Sequence, residues 1–410
     1  MQAEIQKNKH PYFGKPYQWL TDTKVAIVLW FGLSLTSVII QAIGHDRFNN
    51  FVIFRYVFFH TLQQTNLYLE YPQTYADVNL YGPFFSIVIA PFAVLPKTWG
   101  AIAWVLFNTG ILYVAIRKLP IQKTGQNLIL IFSSVEMLNA SSWVQSNALI
   151  AACIIFGFSF IWEGKDKWGL FFILIAVFIK IYGIVGFAFF FFSKNKMRFI
   201  LWSVIWSVIF FIAPMLIAPP HFIIKSYADW YHGLQKKSAK NIRLDIHNDY
   251  QDISAMGILR RLFGLKYLKD IWVLVPAALL FVSQYLPYRY FKDARFGLYL
   301  LCSVLLFPVI FSTGSESPTY IIAFPAVCLW YWLQPKNIFI HVLFITAFLI
   351  TSFSYSDILT PWFRDHIARP YAIKALPNVI IWCVIVAQIW TRQFLKVSTS
   401  KLWQPNNFAV

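Results

Sequence analysis

The stretch LEYPQTYADVNLYGPFFSIVIAPFAVLP, from Leu69 to Pro96, changes character halfway along its length. Its first half is polar and holds Glu70 and Asp77, whereas nearly every residue after Tyr81 is apolar. The chain has only 17 acidic residues in 410, so two carboxylates directly ahead of a hydrophobic segment need an explanation. That explanation depends on the solvent in which the rest of the chain lies.

The composition indicates that this solvent is lipid. Hydrophobic residues make up 58% of the chain and charged residues 13%, whereas a soluble domain carries roughly 25% charged residues. The 41 phenylalanines suit helix surfaces that face lipid, and Trp and Tyr favour the membrane interface. We therefore expect an all-α polytopic membrane protein.

The charge of the chain does not indicate a nucleic-acid partner. The net charge of +18 comes mostly from short basic clusters between apolar runs, as in loops between membrane helices. Membrane lipids with anionic headgroups, or a phosphate on a ligand, are the better partners. The four cysteines lie inside apolar runs without metal-binding spacing, and no metal site is predicted.

Apolar runs long enough to cross a bilayer, for which about 20 residues suffice, recur along the chain. Twelve are predicted, within one membrane-embedded domain over residues 1–410: 25–43, 82–96, 99–116, 126–141, 144–162, 168–192, 199–217, 271–288, 295–311, 319–334, 337–354 and 376–392. The first is predicted to be a retained helix and not a signal peptide, since it lacks a small-residue cleavage site.

Two long polar stretches, 44–81 and 218–270, interrupt the series. With the amino terminus inside, both are predicted to be large extracytoplasmic loops. The basic loops that then fall inside obey the positive-inside rule: 193–198, 286–295, 334–337 and the carboxyl-terminal tail.

Loops 117–123 and 163–168 are basic yet fall outside in this topology. An alternative splits 168–192 into two half-helices at Lys180 and merges 82–116 into one broken crossing.

Two carboxylates of the first outer loop are candidates for a general base. Asp77, in YADVNLYGP, lies within one or two turns of a membrane helix, where partial desolvation makes a carboxylate a better base. Asp46, in GHDRFNN, is the second candidate, although His45 and Arg47 could simply balance its charge. Capping or solvated-loop roles are the alternatives for both.

Ionisable and polar residues also occur within or beside predicted membrane segments. Lys180 could hold a phosphate or neutralise Glu136, since charged groups in membrane segments are costly unless paired or functional. Gln145 and Asn147 lie at a helix end, where helix–helix hydrogen bonding is the alternative to substrate binding. Glu316, between Gly314 and Pro318, is either a turn cap or a contact to a substrate hydroxyl.

Several catalytic signatures are absent. The chain has no P-loop, no dinucleotide-binding glycine motif, no HExxH and no nucleophile elbow, which argues against nucleotide hydrolysis and a bound nicotinamide cofactor. No pair of broken helices recurs in two halves, which weakens a transporter hypothesis.

Short apolar motifs over nearly the whole chain carry a resemblance to a known family. They are NNFVIF with NLY, LYGPFFSIVIAPFAVLP, QSNALIAA, FIKIYGIVGFAFF and SAMGILRR. With these, and with its two outer loops, the chain resembles the GT-C membrane glycosyltransferases, and among them glycosyltransferase family 87, the polyprenyl-phosphate-mannose-dependent mannosyltransferase type. The motif GSESPTYIIAFP is similar to a branch of the family seen in Bacteroidetes-type bacteria.

The resemblance implies a polyprenyl-phosphate hexose donor, mannose above all, used on the outer face of the bacterial inner membrane. An outer-loop Asp would deprotonate the hydroxyl of a lipid or glycan acceptor, and the phosphate would leave with inversion, without metal or cofactor. The family shows D-F-x-V-Y in the first loop, where this chain has Asn50 in NNFVIF. Because Asn cannot take a proton, either the base has moved to Asp77 or Asp46, or the protein is not catalytic in the family's way.

We therefore predict a membrane hexosyltransferase with Asp77 as the base and Asp46 in reserve. Lys180, Arg260 and Arg261 are predicted to hold the donor phosphate. Contacts to sugar or acceptor are predicted for Asn50, Tyr81, Gln145, Asn147 and Glu316. A transporter or flippase for lipid-linked glycans and a non-catalytic membrane protein remain the alternatives.

Overall fold

The computed structural model describes residues 21–44, 48–241 and 250–402, and Asp46 lies outside them. This part of the chain is built from α- and 3₁₀-helices with one short π-helical segment, Arg364–Ala368. Its β-structure is limited to one isolated antiparallel bridge between Ile121 and Leu402. The predicted all-α class is confirmed.

Sixteen α-helices follow one another in the described residues. The first eight are α1 Thr23–Gly44, α2 Asn49–Leu62, α3 Phe85–Ala93, α4 Lys97–Arg117, α5 Lys123–Ser142, α6 Asn147–Trp162, α7 Asp166–Ile179 and α8 Lys196–Ile212. The second eight are α9 Pro220–Asn241, α10 Ala255–Arg261, α11 Ile271–Ser283, α12 Ala294–Ile310, α13 Tyr320–Leu333, α14 Ile338–Phe353, α15 Pro361–Phe363 and α16 Leu376–Trp390. A 3₁₀-helix, Ile181–Phe192, follows α7.

Several of these helices are apolar enough to lie in a bilayer. Four stretches in the described residues have the length and composition to cross one: Thr23–Gly44, Lys97–Arg117, Lys196–Leu216 and Ile373–Trp390. Six shorter helices are also apolar: Asn147–Trp162, Ile181–Phe192, Ile271–Ser283, Ala294–Ile310, Ser317–Leu333 and Ile338–Phe353. The chain is therefore an integral membrane protein, and the number of twelve crossings stays a prediction.

The helices divide into a buried centre and an apolar exterior. All residues of α13 and most of α6 and α12 are buried, and the Trp30 Nε1 of α1 donates to the Thr109 carbonyl of α4 at 3.0 Å. In contrast, α8 buries only Phe199 and Phe210 and exposes apolar side chains such as Val204. An apolar outer surface of this kind is stable in contact with lipid.

A buried ion pair joins α5 to the segment before α16. Lys374 Nζ donates to both carboxylate oxygens of Glu136 at 3.0 Å and to Ser317 Oγ at 2.9 Å. The idea that Lys180 neutralises Glu136 was therefore wrong. Sequence spacing could not show this, because Lys374 is 238 residues away from its partner.

Side-chain contacts bring the basic loops together at one end of the bundle. Lys118 pairs with Glu163 at 2.5 Å, and Ser193 Oγ donates to Asp166 Oδ2 at 2.9 Å. Lys401 of the tail donates to the Gln334 carbonyl at 2.6 Å. Loops 117–123 and 163–168 thus share an end with the basic loops from which the main sequence topology separated them.

This arrangement agrees with the alternative topology. The chain reverses at Lys180, so that α7 and the 3₁₀-helix Ile181–Phe192 pack side by side. The nine residues of α3 rise only about 14 Å at 1.5 Å each, and α3 packs mainly on α2. The basic loops then satisfy the positive-inside rule together.

Candidate active site

Two cavities lie at the end of the bundle opposite the basic loops. The first, of about 410 Å³, lies between residues 77–81, α9, the break at Lys180 and residues 312–316. The second, of about 650 Å³, lies between the end of α5, residues 352–358, Arg369 and Lys374. Five residues line both cavities: Asn50, Asp77, Gln145, Gln251 and Glu316. Two carboxylates therefore stand where the cavities adjoin.

Asp77 is held at this junction by its neighbours in space. Asn49 at the start of α2 holds Ala76, the residue before Asp77. The Asn49 Nδ2 donates to the Ala76 carbonyl and the Asn49 Oδ1 accepts from the Ala76 amide, each at 2.8 Å. Asp77 itself has φ +74°, a left-handed conformation in which Asp is enriched among non-glycine residues. Its half-exposed carboxylate pairs with Lys237 Nζ of α9, at 2.9 Å.

Glu316 belongs to a loop that is anchored on both sides. Gln251 Nε2 donates to Glu316 Oε1 at 2.6 Å, and Gln145 Nε2 approaches Glu316 Oε2 at 3.4 Å. The amides of Asp252 and Ile253 donate to the carbonyls of Thr313 and Ser315, at 3.1 and 2.9 Å. The Glu316 amide also donates to Thr319 Oγ1 in a capping box. Glu316 therefore caps the turn and also forms part of the cavity wall.

Tyr81 is a buried member of the same hydrogen-bond network. Ser146 Oγ donates to the Tyr81 hydroxyl at 2.9 Å, and that hydroxyl donates to Gln145 Oε1 at 3.3 Å. Burial raises the pKa of the Tyr81 hydroxyl well above its usual range, so it stays a neutral donor. Its ring stacks on Phe85, which fixes its position in the wall of the first cavity.

Lys180 presents a cation to the first cavity. Its Nζ donates to Asn147 Oδ1 at 3.0 Å and lies 4.8 Å from the centre of the Tyr182 ring. Within the residues that the structure describes, no carboxylate lies within ion-pair distance of Lys180. An anion in this cavity could therefore form an ion pair with Lys180.

Of the other predicted site residues, Asn50 lines both cavities, whereas Asn147 and Arg261 lie behind the lining residues. Asn147 lines neither cavity, but besides accepting from Lys180 it donates to the Pro318 carbonyl at 3.2 Å. Asn50 Nδ2 donates to the Trp143 carbonyl at 2.8 Å. Arg261 donates to the Gln251 carbonyl at 2.7 Å and so positions the residue that holds Glu316.

Arg260 is placed away from both cavities. Its guanidinium is fully buried, donates to Asp252 at 2.8 Å and also contacts Asp270 and the Leu268 carbonyl. Removing one of these partners would destabilise the α10 region, because it would leave a buried charge uncompensated. We give Arg260 a structural role and leave it out of the site.

Sequence reasoning did not indicate several contacts around the two carboxylates. Asn49 bonds to Ala76 next to Asp77, Gln251 bonds to Glu316, and Lys374 reaches the second cavity, all through contacts between distant parts of the chain. The ion pair between Lys237 and Asp77 was not predicted either. The available signals were the NN pair at Asn49 and the basic run around Lys237. Nothing in the sequence near Gln251 indicated its role.

The arrangement offers a proton acceptor between two binding spaces, with two lysines, Lys180 and Lys237, on one side. Among the described residues, no group of three or more His, Cys, Asp or Glu side chains could hold a metal ion. The site therefore has the groups for acid–base chemistry and for binding an anion.

The model of one protein family, described as Glycosyltransferase family 87, matches residues 79–313, more than half of the chain. The matched region includes Tyr81, Gln145, Lys180 and Gln251, whereas Asp77 and Glu316 lie just outside its two ends. Among curated proteins, none matches the chain.

Proposed function

Because the chain belongs to glycosyltransferase family 87, and is therefore a membrane glycosyltransferase, we propose that it moves a hexose from a polyprenyl-phosphate donor to an acceptor hydroxyl where its two cavities adjoin. The observation that carries this proposal is the shared wall, in which Asp77 and Glu316 face both cavities. Family membership favours a transferase over the flippase and the non-catalytic protein that the sequence left open.

The donor is proposed to occupy the first cavity. Lys180 and Lys237 both line it, and ammonium groups bind phosphate oxygens well. Ile181 and Tyr182 continue the wall, and Ile181 and Ile184 of the 3₁₀-helix are exposed on the apolar outer surface. A prenyl chain would lie along this surface in lipid while the phosphate reaches the lysines, and mannose is the first hexose to test.

The acceptor is proposed to occupy the second, larger cavity. Its wall includes the aromatic side chains of Trp143, Tyr250 and Tyr355, which offer flat apolar faces to the rings of a lipid or glycan acceptor. The cavity reaches the junction at Glu316 and Asn50, so a hydroxyl at its inner end would lie beside the carboxylates.

The proposed reaction is a single displacement. The acceptor oxygen attacks the anomeric carbon while Asp77 takes the hydroxyl proton, and the bond from that carbon to the phosphate oxygen breaks with its electron pair going to the phosphate. The product is inverted at the anomeric carbon. Asn50 lines the same junction as Asp77, so a base at Asp77 would act in the space where the family pattern places its Asp.

The site end is proposed to face the outside of a bacterial inner membrane. The support is electrostatic: the basic loops cluster at the opposite end, and Lys and Arg favour the cytoplasmic side.

Replacement of Asp77 by Asn tests the assignment of the base. With purified protein in lipid nanodiscs and a panel of polyprenyl-phosphate sugars, we expect Asp77→Asn to lower kcat by about 10²- to 10⁴-fold, the range of general-base catalysis. Asp229→Asn is the matched control, since Asp229 is also paired to a lysine, Lys225, but lines neither cavity. It should transfer sugar at nearly the wild-type rate.

Two results would contradict parts of this proposal. Transfer that survives in Asp77→Asn but is lost in Glu316→Gln would make Glu316 the base. A wild-type protein that consumes none of the polyprenyl-phosphate sugars would remove the donor class itself.

A further inference from the structure

We propose that Lys237 exchanges partners during the reaction, pairing with Asp77 in the empty enzyme and with the donor phosphate in the loaded one. The inference rests on the proposed function and adds to it a residue that makes the base depend on the donor. Lys237 would thus prevent Asp77 from acting until the first cavity is filled.

The starting state of this exchange is visible in the structure. Lys237 Nζ lies 2.9 Å from Asp77 Oδ2 and 3.3 Å from Asp77 Oδ1, so both carboxylate oxygens accept from one ammonium group. Transfer of the acceptor proton to Asp77 in this state would break the ion pair with Lys237. In the described portions of the chain, Asp77 is the carboxylate with which Lys237 forms an ion pair.

The position of Lys237 allows the second state. Its side chain is 13% exposed and lines the first cavity only, whereas Asp77 is 48% exposed and lines both. Lys180 lines the first cavity as well. A phosphate bound by Lys180 would therefore lie in the same cavity as Lys237 and compete with Asp77 for it.

The chemistry of the donor favours the exchange as the reaction proceeds. A sugar phosphodiester carries one negative charge, and the phosphate gains a second when the bond to the anomeric carbon breaks. The attraction of Lys237 to the phosphate thus grows along the reaction, while Asp77, freed from the ion pair, becomes neutral by taking the acceptor proton. Proton transfer to Asp77 and the gain of charge on the phosphate therefore favour each other. The donor must bind before Asp77 can act as the base.

A double-mutant cycle on binding tests the exchange without requiring transfer. The probe is a short-chain polyprenyl phosphate, with the polyprenol of equal length as control, bound to the full-length protein in nanodiscs. We expect Lys237→Met to weaken phosphate binding about tenfold and Asp77→Asn to tighten it about tenfold, each equal to about 1.4 kcal/mol. In the Lys237→Met background, Asp77→Asn should change binding by no more than about twofold.

The cycle separates the exchange from simple repulsion between Asp77 and phosphate. An equal gain from Asp77→Asn with and without Lys237 would overturn the inference, since repulsion acts in both backgrounds. Lys237→Arg keeps the charge and should restore most of the affinity that Lys237→Met loses. A loss that Lys237→Arg does not restore would count against the exchange as well.

Failure of the inference and failure of the proposed function are distinguishable in this experiment. If wild-type protein binds the phosphate no better than the alcohol, the proposed donor site is wrong. If it binds the phosphate preferentially but the two substitutions act independently, only the role of Lys237 is wrong.

Discussion

At the scale of single residues, the position of Asp77 depends on the side-chain amide of Asn49. Asn49 makes two hydrogen bonds to the backbone of Ala76, and these hold the left-handed turn in which Asp77 lies. The carboxylate is thus aimed by a neighbouring side chain together with Lys237. A general base works only within hydrogen-bonding reach of its proton, so the clamp is a direct requirement of the proposed chemistry.

Asn49→Ala should therefore harm transfer more than stability. Loss of two partly exposed hydrogen bonds costs about 1–3 kcal/mol of unfolding free energy, whereas misplacement of the base lowers kcat by about 10²-fold. The matched control is Asn195→Ala, which removes an exposed side-chain cap to the Arg198 amide at the opposite end of the bundle. Thermal unfolding and transfer rates of both variants give the comparison, and equal rates for both would contradict the role of Asn49.

At this scale the sequence predicts residue types better than it predicts partners. Asp77, Gln145 and Glu316 could be selected as polar groups beside apolar helices, and all three line the junction. The ion pair of Asp77 joins residues 160 positions apart, and that of Glu136 joins residues 238 apart. Such pairings depend on how helices pack, which local composition does not encode.

At the scale of elements, the break at Lys180 brings a cation to the first cavity. Segment 168–192 is a single apolar run in the sequence, but α7 ends at Ile179 and the 3₁₀-helix Ile181–Phe192 packs back along it. Gly183 permits this reversal, because a Cβ there would lie 2.4 Å from the Val177 nitrogen. The run could be recognised as membrane-embedded from its composition, and the lysine inside it was the basis of the alternative with two half-helices.

Gly183→Ala should therefore move the 3₁₀-helix and Lys180 with it. We expect a loss of about 1–3 kcal/mol of stability from overpacking, and weaker binding of polyprenyl phosphate. Gly110→Ala in α4 is the matched control, since nothing lies within 4 Å of the added methyl group, and it should be neutral or slightly stabilising. Unchanged melting temperature and phosphate affinity in Gly183→Ala would show that the close packing at this glycine is not required.

At the scale of the whole molecule, polar groups are sorted between two ends. One end gathers the basic loops and the tail, and the other holds the two cavities with Asp77 and Glu316. Composition alone predicted a helical membrane protein. Placing loops 117–123 and 163–168 at the correct end required knowing that segment 168–192 reverses. One wrongly assigned crossing puts every later loop on the wrong side of the membrane until a second wrong assignment compensates for it.

Labelling of single cysteines measures this sorting in cells. Gln73→Cys lies on the exposed first loop of the site end, and Lys165→Cys lies on an exposed basic loop. A membrane-impermeant maleimide added to intact cells should label Gln73→Cys, whereas Lys165→Cys should react only after permeabilisation. The wild-type chain controls for its own cysteines, of which Cys153, Cys302 and Cys328 are buried. The reverse pattern would place the proposed site in the cytoplasm.

The shared wall between the cavities has a further consequence for how substrate specificity evolves among related enzymes. Trp143, Tyr250 and Tyr355 border only the larger space, while Lys180, Tyr182 and Lys237 border only the smaller one. Substitutions that reshape one cavity leave the lining of the other intact. Homologous enzymes can therefore evolve a different acceptor specificity while they keep the same lipid-linked donor. Substitution of these three aromatic residues is accordingly the most direct way to engineer a different acceptor specificity.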